Sequence, residues 1–263
     1  MKPLVKWAGG KTQLLPNLLP LIPEFNTYYE PFLGGGAVYF ALKPKKAVLN
    51  DYNEQLVNVY IQCRDNPKLL KAKLDHLQTN HIDSSEHFNK IRAEYNTYLS
   101  VGKRDTDSAA LLIYLNKAGF NGLYRLNSKG LFNTPYGKKK SVTLYNEENF
   151  DGASKLLKTA KIMSGDFEDA CKGCKKGDFV FFDSPYYNTF DTYQAGGFSD
   201  HERLAELFRK LTKKGAKCLL TNSNEEYIKG LYAEYNIEVV DVKRMINCDG
   251  KNRKGQEIIV RNY

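Results

Sequence analysis

An α/β fold built on a wound, mostly parallel β-sheet is the class that the sequence predicts, and two observations predict it. Strand and helix patterns alternate over residues 27–60, and the alternation returns from about residue 155. Between them, residues 61–149 show helical spacing of apolar residues and end in a basic segment with interleaved aromatic residues. We therefore expect one α/β domain, residues 1–60 and 150–263, interrupted by a mainly helical insert of residues 61–149.

The strands are expected where short apolar runs are bounded by turn residues. Seven segments have this pattern: residues 28–32, 46–51, 160–166, 178–183, 216–222, 237–244 and 256–262. The connection between the last two is too short for a crossover helix, which predicts an antiparallel strand pair at the sheet edge.

Helices are expected where apolar residues recur every three or four positions. One begins at Gly36, and others cover residues 53–63, 67–80, 84–99, 107–120 and 199–215. Ser199 is the expected N-cap of the last helix and Gly215 its C-terminal stop. Residues 123–135 predict a β-hairpin that turns at residues 127–130.

Composition favours a soluble, basic, intracellular protein. The chain has 263 residues, its apolar runs are too short to span a membrane, and no secretory-type apolar stretch follows Met1. Lys and Arg total 39 against 30 Asp and Glu, a formal net charge of +9. A basic balance of this size suits a polyanion such as nucleic acid.

Cysteine usage indicates reduced thiols, because five is an odd number in a chain without a secretory signal. Cys171 and Cys174 form a C-x-x-C pair, but the histidines and the other cysteines form no second pair. Since a zinc site needs two further ligands, the segment is interpreted as a turn before a strand, and no metal is expected.

Ligands of wound sheets bind at the carboxyl ends of the strands. This rule predicts that the chemistry lies at residues 30–36, 50–51, 165–167 and 183–187. In "EPFLGGG", residues 30–36, glycines directly after a strand allow close approach of a ligand; a tight turn is the alternative. Asp51 ends the next strand, where an acid commonly binds a ribose. Together they predict a ligand that contains a nucleoside.

Two further motifs are candidates for chemistry. "KWAGGK", residues 6–11, is either a flap that brings Lys11 near a carboxylate or a loop whose Trp7 packs on the core. "DSPY", residues 183–186, follows a buried strand and suits a planar base with an exocyclic amine. The acid and a backbone carbonyl would accept the amine hydrogens while the ring stacks on the base. The alternative is a strand-end turn with surface tyrosines.

In their order along the chain, these motifs resemble the Dam-type DNA adenine methyltransferases, the alpha-group D12 class. The matching segments are "KWAGGK", "EPFLGGGAVYF", "LNDYNEQLVNVY", "NGLYRLNSKGLFNTPYG", "GDFE", "DSPYYNTF" and "INCDGKNRKG". The resemblance implies a Rossmann-like methyltransferase sheet that uses S-adenosylmethionine, with a DNA-recognition domain inserted at residues 61–149. It also implies methylation of N6 of a flipped-out adenine in double-stranded DNA, within GATC.

Residue by residue, the resemblance assigns cofactor binding to Trp7, Lys11, Phe32, Gly34, Gly36, Asp51, Asp166, Phe167 and Asp183. It assigns catalysis to Asp183, Ser184, Pro185 and Tyr186. It assigns DNA contacts to Phe120, Asn121, Leu123, Arg125, Pro135, Lys138 and Lys139. The alternatives are that Phe120 and Leu123 are core residues, and that Lys138 and Lys139 contact phosphates or form a solvated turn.

Ser184 departs from the family pattern, in which proline is usual at this position. The carbonyl that would bind the amine survives, so we expect activity to be retained. A basic DNA-binding protein on a decayed methyltransferase fold, a nicotinamide-dependent enzyme and a cytosine-N4 methyltransferase are the alternatives. The resemblance further implies a cytoplasmic, prokaryotic or phage-encoded protein that acts as a monomer without a membrane partner, and leaves open a cognate restriction endonuclease.

Overall fold

The computed structural model of the protein describes residues 1–188, 198–243 and 254–263. Within these residues, seven strands form one sheet: β1 Tyr28–Glu30, β2 Ala47–Asp51, β3 Ala160–Ser164, β4 Phe179–Phe182, β5 Lys217–Ser223, β6 Asn236–Lys243 and β7 Lys254–Arg261. Their order across the sheet is β3-β2-β1-β4-β5-β7-β6. Strands β1 to β5 are parallel, whereas β7 runs antiparallel to both of its neighbours.

The seven predicted strands are confirmed, and so is the antiparallel pair of β6 and β7 at the sheet edge. The last strand of the chain inserts between β5 and β6, so the outermost strand is β6. The inner position suits the sequence of β7, because Ile258, Ile259 and Val260 are all fully buried and need cover on both faces of the sheet.

Ten α-helices occur in the described part of the chain. They are α1 Leu15–Leu18, α2 Ala37–Leu42, α3 Glu54–Asp65, α4 Pro67–Thr79, α5 Ser85–Ser100, α6 Thr106–Ala118, α7 Glu147–Leu157, α8 Phe167–Cys171, α9 His201–Lys213 and α10 Glu226–Leu231. All of the predicted helices are present. The prediction that Ser199 caps α9 is wrong, because the helix begins one residue later with Asp200 at the N-cap position. Gly215 does end α9, with φ 82°.

Strand side chains alternate between two hydrophobic clusters, one on each face of the sheet. Tyr28 and Phe181 belong to the first cluster, while Tyr29 and Val180 belong to the second. Helices α2 to α7 contribute to the first cluster, and α8, α9 and α10 cover the second face. Because both faces are covered, the carboxyl edge of the parallel strands is the accessible part of the sheet.

The helices of residues 61–149 share the first hydrophobic cluster with the sheet. Phe88 of α5 and Leu112 of α6 are buried in the same cluster as Tyr60 of α3. The expected domain boundaries at residues 60 and 150 fall inside helices α3 and α7.

The predicted hairpin is present as an irregular antiparallel loop with one isolated bridge, between Leu126 and Phe132. Its turn closes where the Gly130 N–H donates to Asn127 O at 2.9 Å, with Gly130 at φ 72°. The hairpin sequence is rich in Asn, Gly and Lys, which explains why no regular strand pair forms.

The described cysteines Cys63, Cys171, Cys174 and Cys218 are all free and buried. Burial raises the pKa of the Cys174 thiol to about 12, so that it is protonated at neutral pH. Among the described residues, no group of three or more His, Cys, Asp or Glu side chains could hold a metal ion. Cys248 and most of the "INCDGKNRKG" segment lie outside the described residues, as do Thr189 and Phe190 of "DSPYYNTF". No described helix is both long and apolar enough to cross a membrane.

Candidate active site

A cavity of about 800 Å³ opens at the carboxyl edge of the sheet. It is lined by the loops that follow β1 to β4, together with residues 7–11 of the N-terminal segment, Tyr124 and Leu126 of the hairpin, and Glu257 of β7. The prediction that the strand-end segments converge is therefore confirmed. The volume lies in the range of about 300–1,000 Å³ that is typical of cofactor pockets.

The glycine loop after β1 is fixed by the carboxylate of Asp51. Asp51 Oδ2 accepts the N–H of Gly34 at 2.7 Å, and its Oδ1 accepts the N–H of Asn53 at 2.9 Å. Burial raises the pKa of Asp51, and these two backbone hydrogen bonds oppose that shift. The carboxylate retains lone pairs for further donors, such as the hydroxyl groups of a ribose.

Two glycines of this loop have backbone conformations that side chains rarely adopt. Gly34 has φ 49° and Gly36 has φ 69°. A Cβ on Gly34 would come within 3.2 Å of Trp7 Cδ1, and one on Gly36 within 3.0 Å of Phe40 Cε2. Glycine is needed here both for the turn and for close packing of Trp7.

An aromatic and charged wall closes another side of the cavity. Phe32 stacks on Phe167 with ring centroids 5.2 Å apart, and Phe198 meets Phe32 edge-on at 5.7 Å. Asp166 caps α8 by accepting the N–H of Glu168 at 2.8 Å. Gly165, at φ 129°, lines the cavity beside them, and a Cβ there would meet no atom within 4 Å. The wall therefore combines flat apolar surfaces with an acceptor, as a purine requires.

Asp183, directly after β4, lies on the cavity wall with two partners. Lys11 Nζ is 2.7 Å from Asp183 Oδ1 in an ion pair whose side chains are 6% and 16% exposed. The Thr221 hydroxyl of β5 donates to the same oxygen at 2.8 Å. Lys11 Nζ also donates to Gly9 O at 2.5 Å. The predicted placement of Lys11 near a carboxylate is thus confirmed, and the carboxylate is that of Asp183.

The protonation state of Asp183 depends on two opposing effects, its burial and its contacts with Lys11 and Thr221. Burial raises the pKa of Asp183, while the charge of Lys11 and the hydrogen bonds from Lys11 and Thr221 lower it. Burial is the larger effect, so the pKa of Asp183 is above that of an exposed aspartate. Without Lys11, the carboxyl would be protonated at a still higher pH.

Ser184 and Tyr187 are held by the end of β5. Ser184 is 1% exposed, and Asn222 Nδ2 donates to its hydroxyl at 3.4 Å. Asn222 Oδ1 accepts the N–H of Tyr187 at 3.1 Å, and the Ser223 hydroxyl donates to Tyr187 O at 3.0 Å. These bonds fix the turn on both sides of Pro185, although Ser184 lacks the rigidity of proline.

The Tyr186 ring is half-buried in the cavity wall. Its hydroxyl donates to Glu257 Oε2 at 2.6 Å, and Lys11 Nζ lies 4.7 Å from the ring centroid. Burial, together with the charges of Asp183 and Glu257, raises the pKa of Tyr186 well above its ordinary value. Tyr186 therefore presents a neutral ring of fixed orientation. The alternative of surface tyrosines holds for Tyr187, which is 37% exposed, whereas Tyr186 is half-buried.

The N-terminal segment and the hairpin meet at the cavity mouth. Trp7 stacks on Tyr124 with ring centroids 5.1 Å apart. Asn116 of α6, 1% exposed, accepts the N–H of Lys6 and donates to the carbonyls of both Lys6 and Gly122, each at 2.8 Å. One buried amide thus joins the flap to the base of the hairpin.

The residues predicted to contact DNA lie along the hairpin, outside the cavity. Phe120 is 50% exposed, so it is not a core residue, and its N–H donates to Pro135 O at 2.9 Å. Leu123 is half-buried and Asn121 exposed, the latter with φ 54°. Arg125 is exposed and folds across the hairpin.

The guanidinium of Arg125 is fixed on one side. Its Nε donates to Asn133 Oδ1 at 2.7 Å, and its Nη2 donates to Asn133 O at 3.0 Å. Lys138 and Lys139 are both exposed, and the Lys139 backbone is bound by the Tyr136 hydroxyl. Among the described residues, no ion pair involves either lysine or Arg125.

Several contributors were missed in the sequence. Thr221, Asn222 and Ser223 are buried polar residues at the carboxyl end of β5, a position that the strand-end rule covers but that was not singled out. The "TNS" triplet after three buried apolar residues, Cys218, Leu219 and Leu220, is a recognisable signal. Arg203 and Glu257 carry no local signal, because they lie on a helix and on an antiparallel strand.

The nucleoside-sized cavity, the glycine loop tied to an acid and the strand order fit a Rossmann-like protein that binds a nucleoside-containing ligand. The matching family and relatives add the chemistry: the protein is an S-adenosylmethionine-dependent methyltransferase. Comparison with known sequences makes the assignment narrower: the family model of D12 class N6 adenine-specific DNA methyltransferases matches residues 7–246. The chain belongs to this family.

Similar proteins are found in bacteria and archaea. The chain is 41% identical to the "Type II methyltransferase M1.LlaDCHI" of Lactococcus lactis subsp. cremoris, covering 100% of this chain and 96% of that protein. It is 39% identical to the "Type II methyltransferase M.MjaIII" of Methanocaldococcus jannaschii, with coverage of 100% and 99%. It is 28% identical to a "DNA adenine methylase" of Salmonella typhi, with coverage of 98% and 94%.

The effect of Lys11 on the pKa of the Asp183 carboxyl can be measured directly. Replacing Lys11 by Met removes the opposing charge, so the pKa of the Asp183 carboxyl should rise further above its ordinary value. A carboxyl ¹³C NMR titration of both proteins checks this. Lys45→Met, at an exposed position, is the control and should leave the titration unchanged. A lowered or unaltered pKa in Lys11→Met would contradict the assigned role of the ion pair.

Proposed function

We propose that the protein transfers a methyl group from S-adenosylmethionine to N6 of a flipped-out adenine in double-stranded DNA, within GATC. The observation that carries the proposal is the carboxylate of Asp183, whose side chain is 16% exposed and which is held by Lys11 and Thr221 beside the Tyr186 ring. It faces the cavity that the glycine loop also lines. One cavity thus offers both a nucleoside site and an acceptor for an exocyclic amine.

The cofactor is proposed to lie along the carboxyl ends of β1 to β3. Asp51 would accept the ribose hydroxyls, and the backbone of Gly34 and Gly36 would allow close approach. Phe32, Asp166 and Phe167 would surround the adenine of the cofactor, and Trp7 would cover it. When bound, S-adenosylmethionine supplies an electrophilic methyl group on a positively charged sulfur. The acids and π-faces that line the cavity suit that charge.

Activation of the target amine is the proposed task of Asp183 and Ser184. The lone pair of an adenine amine is delocalised into the ring, which makes the amine a poor nucleophile. Hydrogen bonds from the amine to the Asp183 carboxylate and to the Ser184 carbonyl would localise the lone pair on nitrogen. The fixed carboxylate would then stabilise the positive charge that develops there.

Lys11 and Thr221 prepare Asp183 for this task. Both contact Oδ1, and no described residue donates a hydrogen bond to Oδ2. Oδ2 is therefore the oxygen that we propose accepts a hydrogen from the target amine. The carboxylate is oriented before the substrate arrives, so that little reorganisation is needed during the reaction. Asp183 need not be a strong base, because the amine proton can leave after transfer.

Tyr186 is proposed to stack on the extruded adenine. Removing a base from the helix costs a few kcal/mol, and stacking on an aromatic ring offsets part of this cost. The hydrogen bond from Tyr186 to Glu257 would hold the ring in the stacking orientation. Pro185 limits the conformations of the turn between Ser184 and Tyr186.

DNA recognition is assigned to residues 61–149, with the hairpin as the reading element. The free edge of the Arg125 guanidinium suits the paired acceptors O6 and N7 of guanine, and its bonds to Asn133 orient it beforehand. Phe120, Asn121, Leu123 and Pro135 would contact bases at the target or at the vacated position. Lys138 and Lys139 would contact phosphates.

Two of the similar proteins carry the name type II methyltransferase, a name that supports a restriction–modification setting. We therefore propose a cognate restriction endonuclease that cuts the same sequence, and a monomeric enzyme in a prokaryotic cytoplasm.

The proposed reaction is tested by incubating the protein with tritiated S-adenosylmethionine and unmethylated plasmid. The plasmid is then cut with GATC-specific endonucleases that differ in their sensitivity to N6-methyladenine. Protection from the sensitive enzyme alone is the expected result. Incorporated label without such protection would contradict the GATC assignment, and label in cytosine would contradict the assignment of adenine.

Ser184→Pro tests whether proline is needed in the catalytic turn. Asn222 and Ser223 already hold the turn through Tyr187, so kcat of the parent and of the variant should differ by less than about tenfold, the range of one modest hydrogen bond. Methyl transfer to a GATC duplex under saturating cofactor measures this. An inactive parent beside an active Ser184→Pro variant would show that serine cannot orient the carbonyl.

Arg125→Ala should relax the preference for guanine. Loss of a bidentate base contact costs about 1–3 kcal/mol of discrimination, so kcat/KM should fall mainly on GATC and little on duplexes with a changed guanine. Lys138→Ala is the matched comparison. It should weaken binding to all DNA sequences alike and reduce the salt dependence of that binding. If Arg125→Ala behaves as Lys138→Ala does, the role in base reading is wrong.

A further inference from the structure

We infer that Arg203 of α9 is a positioning residue that makes the cofactor pocket selective for adenine, by fixing the Asp166 carboxylate and the Phe167 ring. The inference rests on the proposed function, since it takes Asp166 and Phe167 to be the adenine site. It goes beyond that function, because none of the residues assigned to the cofactor lies on α9.

Arg203 binds three carboxylates at the edge of the cavity. Its Nη2 is 2.6 Å from Asp166 Oδ1, its Nε is 2.6 Å from Glu168 Oε1, and its Nη1 is 3.3 Å from Asp200 Oδ2. Three nitrogens of one planar group therefore engage three separate acids. A lysine has a single nitrogen and cannot make this arrangement.

The contact with Asp166 determines which oxygen of that residue is available. Oδ1 is taken by Arg203 and by the N–H of Glu168, and no described residue donates to Oδ2. Burial raises the pKa of Asp166, but the bonds from Arg203 and Glu168 lower it by more, so the net pKa is below the ordinary value. An ionised carboxylate only accepts hydrogen bonds.

Because the ionised Asp166 carboxylate can only accept hydrogen bonds, it discriminates between adenine and hypoxanthine. The exocyclic amine of adenine is a donor, whereas the carbonyl of hypoxanthine at the same position is an acceptor and would face a carboxylate that has no proton to offer. A site built to bind a donor rejects the analogue that lacks it. An Asp166 side chain that was loosely held or protonated would bind adenine and hypoxanthine alike.

Arg203 also contacts the second element of this wall. Its guanidinium carbon lies 4.6 Å from the centroid of the Phe167 ring, and Phe167 stacks on Phe32. One side chain thus fixes the direction of the acceptor and the plane of an aromatic ring, the two features that a purine would meet.

The test measures binding of two stable analogues, S-adenosylhomocysteine and S-inosylhomocysteine, by isothermal titration calorimetry without DNA. The wild-type protein should bind the adenosyl compound at least about tenfold more tightly, as one hydrogen bond to a charged group allows. In Arg203→Ala, the preference should fall to less than about threefold, mainly through weaker adenosyl binding. Arg203→Lys should lose most of the preference as well.

Arg209 provides the matched control on the same helix. It forms an ion pair with Glu234 at 3.0 Å and is 39% exposed, against 40% for Arg203, but it does not line the cavity. Unlike Asp166, the partner of Arg203, Glu234 does not line the cavity either, so Arg209→Ala should retain the full preference for the adenosyl compound. Thermal melting followed by circular dichroism verifies that each variant is folded.

The outcomes separate the inference from the function on which it rests. If Arg203→Ala or Arg203→Lys weakens both analogues by the same factor, Arg203 has a merely structural role and the inference fails. If either folded variant retains the wild-type preference, it fails likewise. If the wild-type protein binds neither analogue, the cofactor assignment itself is wrong and the inference falls with it.

Discussion

A carboxylate that loses hydration on folding needs hydrogen-bond or charged partners in place of water. Asp183 receives such partners from two distant parts of the chain. Lys11 comes from the N-terminal segment at 2.7 Å and Thr221 from β5 at 2.8 Å. Removing one partner of a buried ion pair leaves an uncompensated charge. The position of the N-terminal segment, the end of β4 and the end of β5 are therefore linked through one oxygen atom.

The same segment connects the catalytic turn with the hairpin. Lys11 contacts Asp183, while four residues earlier Trp7 stacks on Tyr124, and Asn116 binds the backbone of Lys6 and Gly122. A displacement of the hairpin would be transmitted through these contacts to the flap. The shared hydrophobic cluster of the sheet and the helices at residues 61–149 makes this arrangement stiff, because interiors are closely packed.

Local patterns in the sequence were sufficient for the seven strands, for six of the ten described helices and for the strand-end acids. Asp51 and Asp183 each follow an apolar run, and parallel strands bring their carboxyl ends to one edge. Thr221 and Arg203 were missed, because they act on residues 38 and 37 positions away, and such pairings are set by tertiary packing rather than by periodicity. Ser199 was assigned as a cap because serine is a common N-cap, but the adjacent Asp200 takes that position.

The most direct test of the central claim is the single-turnover rate of methyl transfer by Asp183→Asn on a GATC duplex, with cofactor and DNA affinities measured in parallel. The substitution keeps the shape of the side chain and removes the charge that would stabilise the developing cation. The account predicts a loss of about 10²-fold or more in the rate, as for removal of a preorganised electrostatic group, with the DNA affinity nearly unchanged. A rate within about tenfold of the wild type would contradict it.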